Sequence, residues 1–179
     1  MAAHSSSRVT AGALDAAIVA LRRGDPVLLI GGDGGVLALA AEFVNDDNLA
    51  RGRAAAARPL RMVLTRRRAV ALGLARRETA AALSGAVSIT IAPRLPAAVI
   101  RNLADPAASL GAEPPGLGPE PAVAEGGELA AVALAKLAAL LPAALVLPLA
   151  SAETALARRR PDVATVATED VLSRRAAMA

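Results

Sequence analysis

The spacing of hydrophobic and polar positions divides the chain into alternating helices and strands. Apolar side chains recur at helical spacing over residues 11–23, and Gly24 follows a basic last turn, so we expect a helix with a glycine C-cap. Residues 27–30 are a short apolar run closed by the glycine-rich residues 31–35, which predicts a buried strand and a tight turn. A helix followed directly by a strand favours an α/β fold.

The same alternation continues to the end of the chain. Strands are predicted at residues 60–65, 86–92, 144–149 and 163–166, and helices at residues 66–77, 128–141 and 154–160, with others capped by residues 45–48 and 168–170. Residues 111–127 are rich in Pro and Gly, so we expect a long irregular connection. A chain of 179 residues is long enough for one core, and we expect a single α/β domain over residues 11–179 after a disordered tail over residues 1–10.

Composition excludes several kinds of site. The chain has no Cys, Trp or Tyr, and its single His, His4, lies in the expected tail. Disulfides, thiolate zinc sites, iron–sulfur ligation and cysteine nucleophiles are therefore excluded, and a Ser-His-Asp triad is not expected. The core must be built from Ala, Leu, Val and Ile.

Arginine dominates the positive charge. All 20 basic side chains are arginine except Lys136, and nine arginines lie between residues 51 and 77 with no acidic residue among them. Such a stretch is either a solvated or partner-facing surface or a phosphate-binding surface. Nucleic acid is not the expected partner, because the chain has a single aromatic residue, Phe43, and so lacks the set of aromatic side chains that stacks on bases.

A membrane span is not expected either. Residues 129–150 contain one charged residue, Lys136, but its position within the segment and the prolines at 142 and 148 favour a buried helix followed by a buried strand. The chain has no apolar leader at its start, so we expect a cytoplasmic protein.

Few polar residues stand out as candidates for chemistry. Backbone amides of a glycine-rich turn bind phosphate, but residues 31–35 lack the P-loop ending and the dinucleotide fingerprint. The carboxylates are scattered, and Glu42, within an apolar run, needs a partner that we expect to be an arginine. The candidate phosphate-binding residues are Asp33, Gly34, Gly35, Arg61 and Arg66.

The order of segments resembles the 3,4-dihydroxy-2-butanone 4-phosphate synthase domain of riboflavin biosynthesis over nearly the whole chain. The resemblance is carried by residues 14–30, 39–44, 86–92, 103–106, 125–149 and 165–172. It implies a single layered α/β domain with a mixed sheet and flanking helices. It also implies the family reaction, in which ribulose 5-phosphate gives dihydroxybutanone phosphate and formate with a divalent metal.

The residues that the family uses for this reaction are missing here. The acidic loop after the first strand has shrunk to residues 31–35, where Asp33 is the one remnant. The family's metal-binding His falls at Gly127, next to Glu128, and the Glu of the following strand falls at Pro148; no His lies in residues 114–121 either. We therefore interpret Gly127, Glu128 and Pro148 as vestigial site positions, with no catalytic residue, no metal ligand and no cofactor, and magnesium only if the family activity survives.

The resemblance also implies partners. We expect a degenerate synthase domain that forms a homodimer and serves GTP cyclohydrolase II, by fusion or association, in a structural or regulatory role. The chain cannot be the cyclohydrolase, whose zinc site needs three cysteines. Two alternatives stay open, namely an enzyme acting on ribulose 5-phosphate with a site rebuilt from Asp33, Glu128 and the arginines of residues 51–77, or a phosphate- or nucleotide-binding module.

Overall fold

A computed structural model describes residues 3–32, 34–75, 85–108 and 121–178. Across these residues, seven strands form one mixed sheet in the order β5-β4-β3-β6-β2-β1-β7. Neighbouring strands are antiparallel except β1 and β7, which are parallel. The strands are β1 (Val27–Gly31), β2 (Gly34–Ala40), β3 (Arg61–Thr65), β4 (Ala86–Thr90), β5 (Ala122–Val123), β6 (Ala143–Leu149) and β7 (Ala164–Ala167).

Helices cover both faces of this sheet. They are α1 (Ala3–Arg22), α2 (Asp46–Ala55), α3 (Arg66–Ala71), α4 (Ala97–Ala104), α5 (Gly126–Leu137), α6 (Ser151–Arg158) and α7 (Thr168–Ala176), with a 3₁₀ turn at Ala41–Phe43. We call the side covered by α1, α5 and α7 the first face, and the side covered by the 3₁₀ turn, α2, α3, α4 and α6 the second face.

Alternation along the strands supplies a separate core to each face. On β2, Val36 and Ala38 pack on the first face, whereas Leu37 and Leu39 pack on the second. Helix α5 lies on the first face through an unbroken run of buried small or aliphatic residues, 130–135. These small side chains let the helix axis approach the sheet closely. Close approach keeps the core well packed although the whole chain has only one aromatic residue.

The fold class is the one that the sequence predicts, an α/β domain with a mixed sheet and flanking helices. The first helix begins at Ala3 rather than at residue 11, so helical backbone continues through residues assigned to the tail; the domain division at residues 10 and 11 stays a prediction. Helix α2 begins at Asp46, within the residues 45–48 predicted to cap it, because Asn45 is its N-cap. Asn45 Oδ1 accepts a hydrogen bond from the Asn48 backbone N–H, and Asn48 Oδ1 accepts one from the Asn45 backbone N–H, both at 2.9 Å.

Two other helices end before the residues predicted for their ends. Helix α5 ends at Leu137, not at residue 141, because the chain turns through a positive φ of 56° at Ala139. Helix α3 ends at Ala71, and the rest of its predicted range includes residues 76 and 77, which lie outside the described residues. Strand β2, helix α4 and the two-residue strand β5 were not predicted, and residues 111–120 of the predicted connection lie outside the described residues too.

The prediction that Glu42 pairs with an arginine is wrong. Its Oε1 accepts a hydrogen bond of 3.1 Å from the backbone N–H of Leu141, not from an arginine. The bond ties the 3₁₀ turn to the chain just before β6, which satisfies a half-buried carboxylate with a backbone donor. No helix of the described residues has the length and apolar character to cross a membrane.

Candidate functional site

The glycine-rich turn between β1 and β2 is a tight hairpin. Gly31 pairs with Gly34, and Gly32 has a positive φ of 56°; Asp33, the predicted acidic remnant, lies outside the described residues. A Cβ on Gly34 would lie 2.8 Å from the Leu149 carbonyl oxygen, and one on Gly35 would lie 2.8 Å from Thr154 Cγ2. Close packing against β6 and α6 therefore accounts for glycine at these two candidate phosphate-binding positions.

The structure brings two of the positions interpreted from the sequence as vestigial against one apolar side chain. Gly127, in the first turn of α5, lies so close to Val36 that a Cβ would approach Val36 Cγ2 to 2.8 Å. Across the sheet, Val36 is the strand partner of Pro148. Gly127, Val36 and Pro148 form what we call the glycine–valine–proline contact, which contains no side chain able to accept a proton or bind a metal.

Proline is tolerated in β6 because of where the neighbouring strand ends. The pairing of β6 with β3 runs from Ala143 to Val146 and stops before Pro148. The missing backbone N–H therefore leaves no β3 carbonyl without a partner.

The third vestigial position, Glu128, is held in an ion pair. Its Oε1 lies 3.3 Å from Nε of Arg61, a predicted phosphate-binding residue at the start of β3. Both groups are largely shielded, with side-chain exposures of 13% for Glu128 and 30% for Arg61. Arg61 Nε is buried and makes no aligned hydrogen bond to a described residue, so the contact is an ion pair without hydrogen-bond geometry. The positive charge of Arg61 is thus offset within the protein.

The remaining predicted phosphate ligand does not join this pair. Arg66 is the first residue of α3 and follows the far end of β3, five positions from Arg61. At about 3.3 Å per strand residue, the two backbones are roughly 16 Å apart. Arg61 lies on the first face of the sheet, whereas Arg66 begins a helix on the second face, so the strand does not bring the two residues onto one surface.

Sequence reasoning missed a buried hydroxyl beside the ion pair. Ser88 on β4 is fully buried, and among the described residues its Oγ has no hydrogen-bond partner. Its strand partner is Val63, two positions along β3 from Arg61, so all three residues share the first face. The signal in the sequence is a polar residue at an inward position of an alternating strand.

The described residues do not fit the divalent metal that the resemblance implies. They contain no group of three or more His, Asp or Glu side chains able to hold a metal ion. Magnesium needs carboxylate oxygen ligands, and the one carboxylate at the vestigial positions is already paired with a cation. This arrangement supports no metal-dependent step.

Several arginines of residues 51–77 have structural partners. Arg68 donates to the carbonyl oxygens of Asn102, Leu103 and Asp105 at the end of α4, at 2.7–3.0 Å. Arg53 donates to the Leu95 carbonyl at 2.7 Å. These bonds satisfy backbone carbonyls at a helix end and in a turn. Residues 51–77 are therefore not a uniform solvated or phosphate-binding surface.

An open cavity of about 830 Å³ lies beside the hairpin. The glycines of the hairpin form one wall and α6 forms the other, with Arg158 and Arg159 at its rim. Within the described part of the chain neither arginine has an ion-pair partner, so the rim carries uncompensated positive charge.

No protein-family model and no curated protein sequence matches the chain. Solved structures match it in fold. A cation-free 3,4-dihydroxy-2-butanone 4-phosphate synthase superposes with a TM-score of 0.66 at 20% identity, covering 90% of this chain and 95% of the other. The same enzyme from Candida albicans has a TM-score of 0.61 at 17% identity, with coverages of 90% and 96%.

A longer relative also matches. RibBX from A. baumannii, described as a two-domain 3,4-dihydroxy-2-butanone 4-phosphate synthase, has a TM-score of 0.65 at 18% identity, and the match covers 90% of this chain but 57% of that one. A structure of the synthase in complex with two magnesium ions matches at a TM-score of 0.65 and 19% identity. The chain therefore has the fold of 3,4-dihydroxy-2-butanone 4-phosphate synthase.

Proposed function

We propose that the chain is a degenerate 3,4-dihydroxy-2-butanone 4-phosphate synthase-like domain that does not catalyse the synthase reaction. It serves riboflavin biosynthesis as a structural or regulatory partner of GTP cyclohydrolase II, and it acts as a homodimer. The observation that carries the proposal is the glycine–valine–proline contact, in which two positions that the resemblance assigns to a metal-binding His and a Glu hold Gly127 and Pro148.

The chemistry of the reaction supports the loss of activity. Abstraction of a proton from a sugar phosphate needs a positioned base, and metal assistance needs an open set of oxygen or nitrogen ligands. Glycine and proline side chains supply neither function. Glu128, the nearest carboxylate in sequence, is paired with Arg61 and is therefore not a free base.

The extent of the fold match supports a structural role for the chain. The fold match extends over 90% of the chain despite about 20% identity, and both faces of the sheet retain continuous apolar cores. A two-domain protein among the matches makes fusion or association with another domain a natural arrangement for this fold. The choice of the cyclohydrolase as partner rests on the family resemblance of the sequence.

The partner role is tested by reconstitution. The protein is mixed with GTP cyclohydrolase II from the same genome, and we measure co-elution by size exclusion with light scattering and the rate of GTP consumption. We expect the chain alone to elute at twice its chain mass, and the mixture to form a complex with an altered rate. A monomer that neither binds the cyclohydrolase nor changes its rate contradicts the proposal.

A phosphate- or nucleotide-binding module is the second candidate, and the cavity beside the hairpin favours it. Arg158 and Arg159 place positive charge next to glycine backbone. Ligands that bind the folded state raise its melting temperature. The test is a thermal shift with GTP and with ribulose 5-phosphate, and no shift at saturating ligand rules this candidate out.

A further inference from the structure

Another cavity, of about 510 Å³, lies on the second face of the sheet between α2 and the turn that joins α1 to β1. We call it the α2 cavity. It lies on the opposite face from the glycine–valine–proline contact, so a ligand bound in it is independent of the proposed function. Its volume is within the range of small-molecule sites, which is about 300–1,000 Å³.

The floor of the α2 cavity is apolar because of strand register. Leu37 and Leu39 of β2 point to the second face, and their strand partners on β6 are Leu147 and Leu145. The four leucines thus make a continuous hydrophobic surface beneath the opening.

The wall carries the one aromatic ring of the chain. Phe43 lies over Gly24, whose positive φ of 79° forms the turn after α1, and a Cβ there would contact the ring at 3.1 Å. The carbonyl of Phe43 accepts a hydrogen bond of 2.8 Å from Asn48 Nδ2, which fixes the 3₁₀ turn against α2. The opposite wall is open, since Gly52 and Ala55 are the small residues that α2 presents there.

The rim is positively charged. Three arginines line the cavity against a single acidic residue, Asp25. Arg160 is already bonded to Asp162 through both of its guanidinium edges. Arg23 and Arg51 form no side-chain hydrogen bond or ion pair with any other residue that the structure describes, so their charges remain available to a ligand.

We propose that the α2 cavity binds a small anionic amphiphile, namely a molecule with an aromatic or branched apolar body and one carboxylate, sulfonate or phosphate group. The apolar body lies on the leucine floor beside Phe43, which removes hydrophobic surface from water. The anionic group is bound by the guanidinium groups of Arg23 and Arg51, which are suited to planar and tetrahedral oxyanions.

The probe for this site is 1-anilinonaphthalene-8-sulfonate, which combines aromatic rings with one sulfonate. The chain has no Trp or Tyr, so its own fluorescence does not interfere with the titration. We expect saturable binding of one probe per chain under conditions where circular dichroism gives a cooperative melting transition. Absence of saturable binding to the folded protein overturns the proposal.

Two helix variants locate the probe. Ala55→Leu places a larger side chain in the cavity from α2, and Ala54→Leu makes the same change at the adjacent exposed position, which does not line the cavity. We expect Ala55→Leu to weaken probe binding about tenfold or more and Ala54→Leu to change it less than about twofold. Equal effects of the two variants place the probe elsewhere and overturn the proposal.

Two double variants test the charge and leave the small residues Gly52 and Ala55 of α2 unchanged. The double variant Arg23→Gln with Arg51→Gln removes the free guanidinium groups, and Arg158→Gln with Arg159→Gln is the matched control at the cavity beside the hairpin. We expect the first pair to weaken binding of the sulfonate probe about tenfold or more, since hydrogen bonds from two guanidinium groups to the anion are lost, and to change binding of the uncharged N-phenyl-1-naphthylamine less than about twofold. Loss of both probes together, or an equal loss in the control pair, overturns the assignment of the anion to Arg23 and Arg51.

Discussion

At the scale of single residues, short distances decide which side chains fit at positions 127 and 128. The absence of a side chain at Gly127 allows α5 to lie directly on Val36. Glu128, one position later, is shielded and paired with Arg61. Each residue at this place therefore has a packing or pairing role in the folded chain.

Gly127→Ala tests the packing role. A Cβ at 2.8 Å from Val36 Cγ2 and 3.1 Å from Val36 Cβ forces the helix or the strand to shift, and we expect a loss of about 1–3 kcal/mol in the free energy of unfolding. Gly52→Ala is the control, because the nearest atom to its Cβ is Leu60 Cδ1 at 3.7 Å. Helix propensity then predicts a gain of about 1 kcal/mol. Urea denaturation measures both, and a stabilised Gly127→Ala variant refutes the close contact.

The ion pair is tested by a double-mutant cycle with Arg61→Met and Glu128→Gln. Since both groups are partly shielded, we expect a coupling energy of about 1 kcal/mol, measured as the difference between the double variant and the sum of the single ones. Strict additivity of the two changes is the result that contradicts a direct interaction.

The partner of Glu42 illustrates what sequence can and cannot predict at this scale. Its place in an apolar run indicates that it needs a partner, and the structure supplies one in the Leu141 backbone, 99 positions away. From the sequence alone, any of the arginines is an equally acceptable partner for the Glu42 carboxylate. The identity of a distant partner depends on the fold, not on the local pattern.

At the scale of elements, arginine side chains donate to backbone carbonyls at the ends of two helices. Arg22 Nε donates to the Ala138 carbonyl at the end of α5, at 2.7 Å, and Arg68 bonds three carbonyls at the end of α4. These bonds join helix ends to other segments of the chain. Part of the arginine content therefore stabilises the fold.

Arg68→Ala tests this role. It leaves three carbonyls at the end of α4 without their donor, and we expect a loss of about 2–3 kcal/mol. Arg67→Ala is the matched control on the same helix, since Arg67 is exposed and no described residue bonds its side chain; we expect a change within about 0.5 kcal/mol. Similar losses in the two variants argue against the capping role.

Lys136, on helix α5, makes the free energy of unfolding depend on pH. Burial, and secondly the positive charge of Arg175, lower the pKa of Lys136 below its usual 10.5. The folded state therefore disfavours the charged amine, which lowers the free energy of unfolding. This loss of stability is fully present below the lowered pKa and disappears as the pH rises from that pKa to 10.5.

Lys136→Met removes that cost. We expect a small stabilisation at pH 7, below about 0.5 kcal/mol because Lys136 retains contact with water, and a smaller gain at pH 10.5 and above. Denaturant titrations at the two pH values provide the comparison. An equal gain at both values means that burial of the methionine, not removal of charge, is responsible.

Continuous apolar runs predicted two strands closely, whereas one short helix and one two-residue strand were not predicted. Residues 143–149 and 27–31 form strands close to their predicted limits, since each is a continuous apolar run. Helix α4 buries Ala97, Ile100 and Leu103 at helical spacing, but it has only eight residues, too few for the period to stand out. Strand β5 has two residues and depends wholly on pairing with β4.

At the scale of the whole molecule, the strand order assembles the glycine–valine–proline contact. Val36, Gly127 and Pro148 lie far apart in sequence, and they meet because β2 pairs with β6 beneath the first turn of α5. Sequence reasoning named Gly127 and Pro148 only through a family resemblance, and it missed Val36 and Ser88. Strand order and the choice of face brought these residues together, and neither is encoded in a local pattern.

The proposed loss of the synthase reaction from this synthase fold is tested most simply through formate. The full-length protein is incubated with ribulose 5-phosphate labelled with ¹³C and with Mg²⁺, and ¹³C NMR follows formate, with an active synthase as positive control and the denatured chain as background. We predict no formate above the denatured background while the positive control converts its substrate. Formate that exceeds this background and rises in proportion to the concentration of folded protein contradicts the proposed loss of activity.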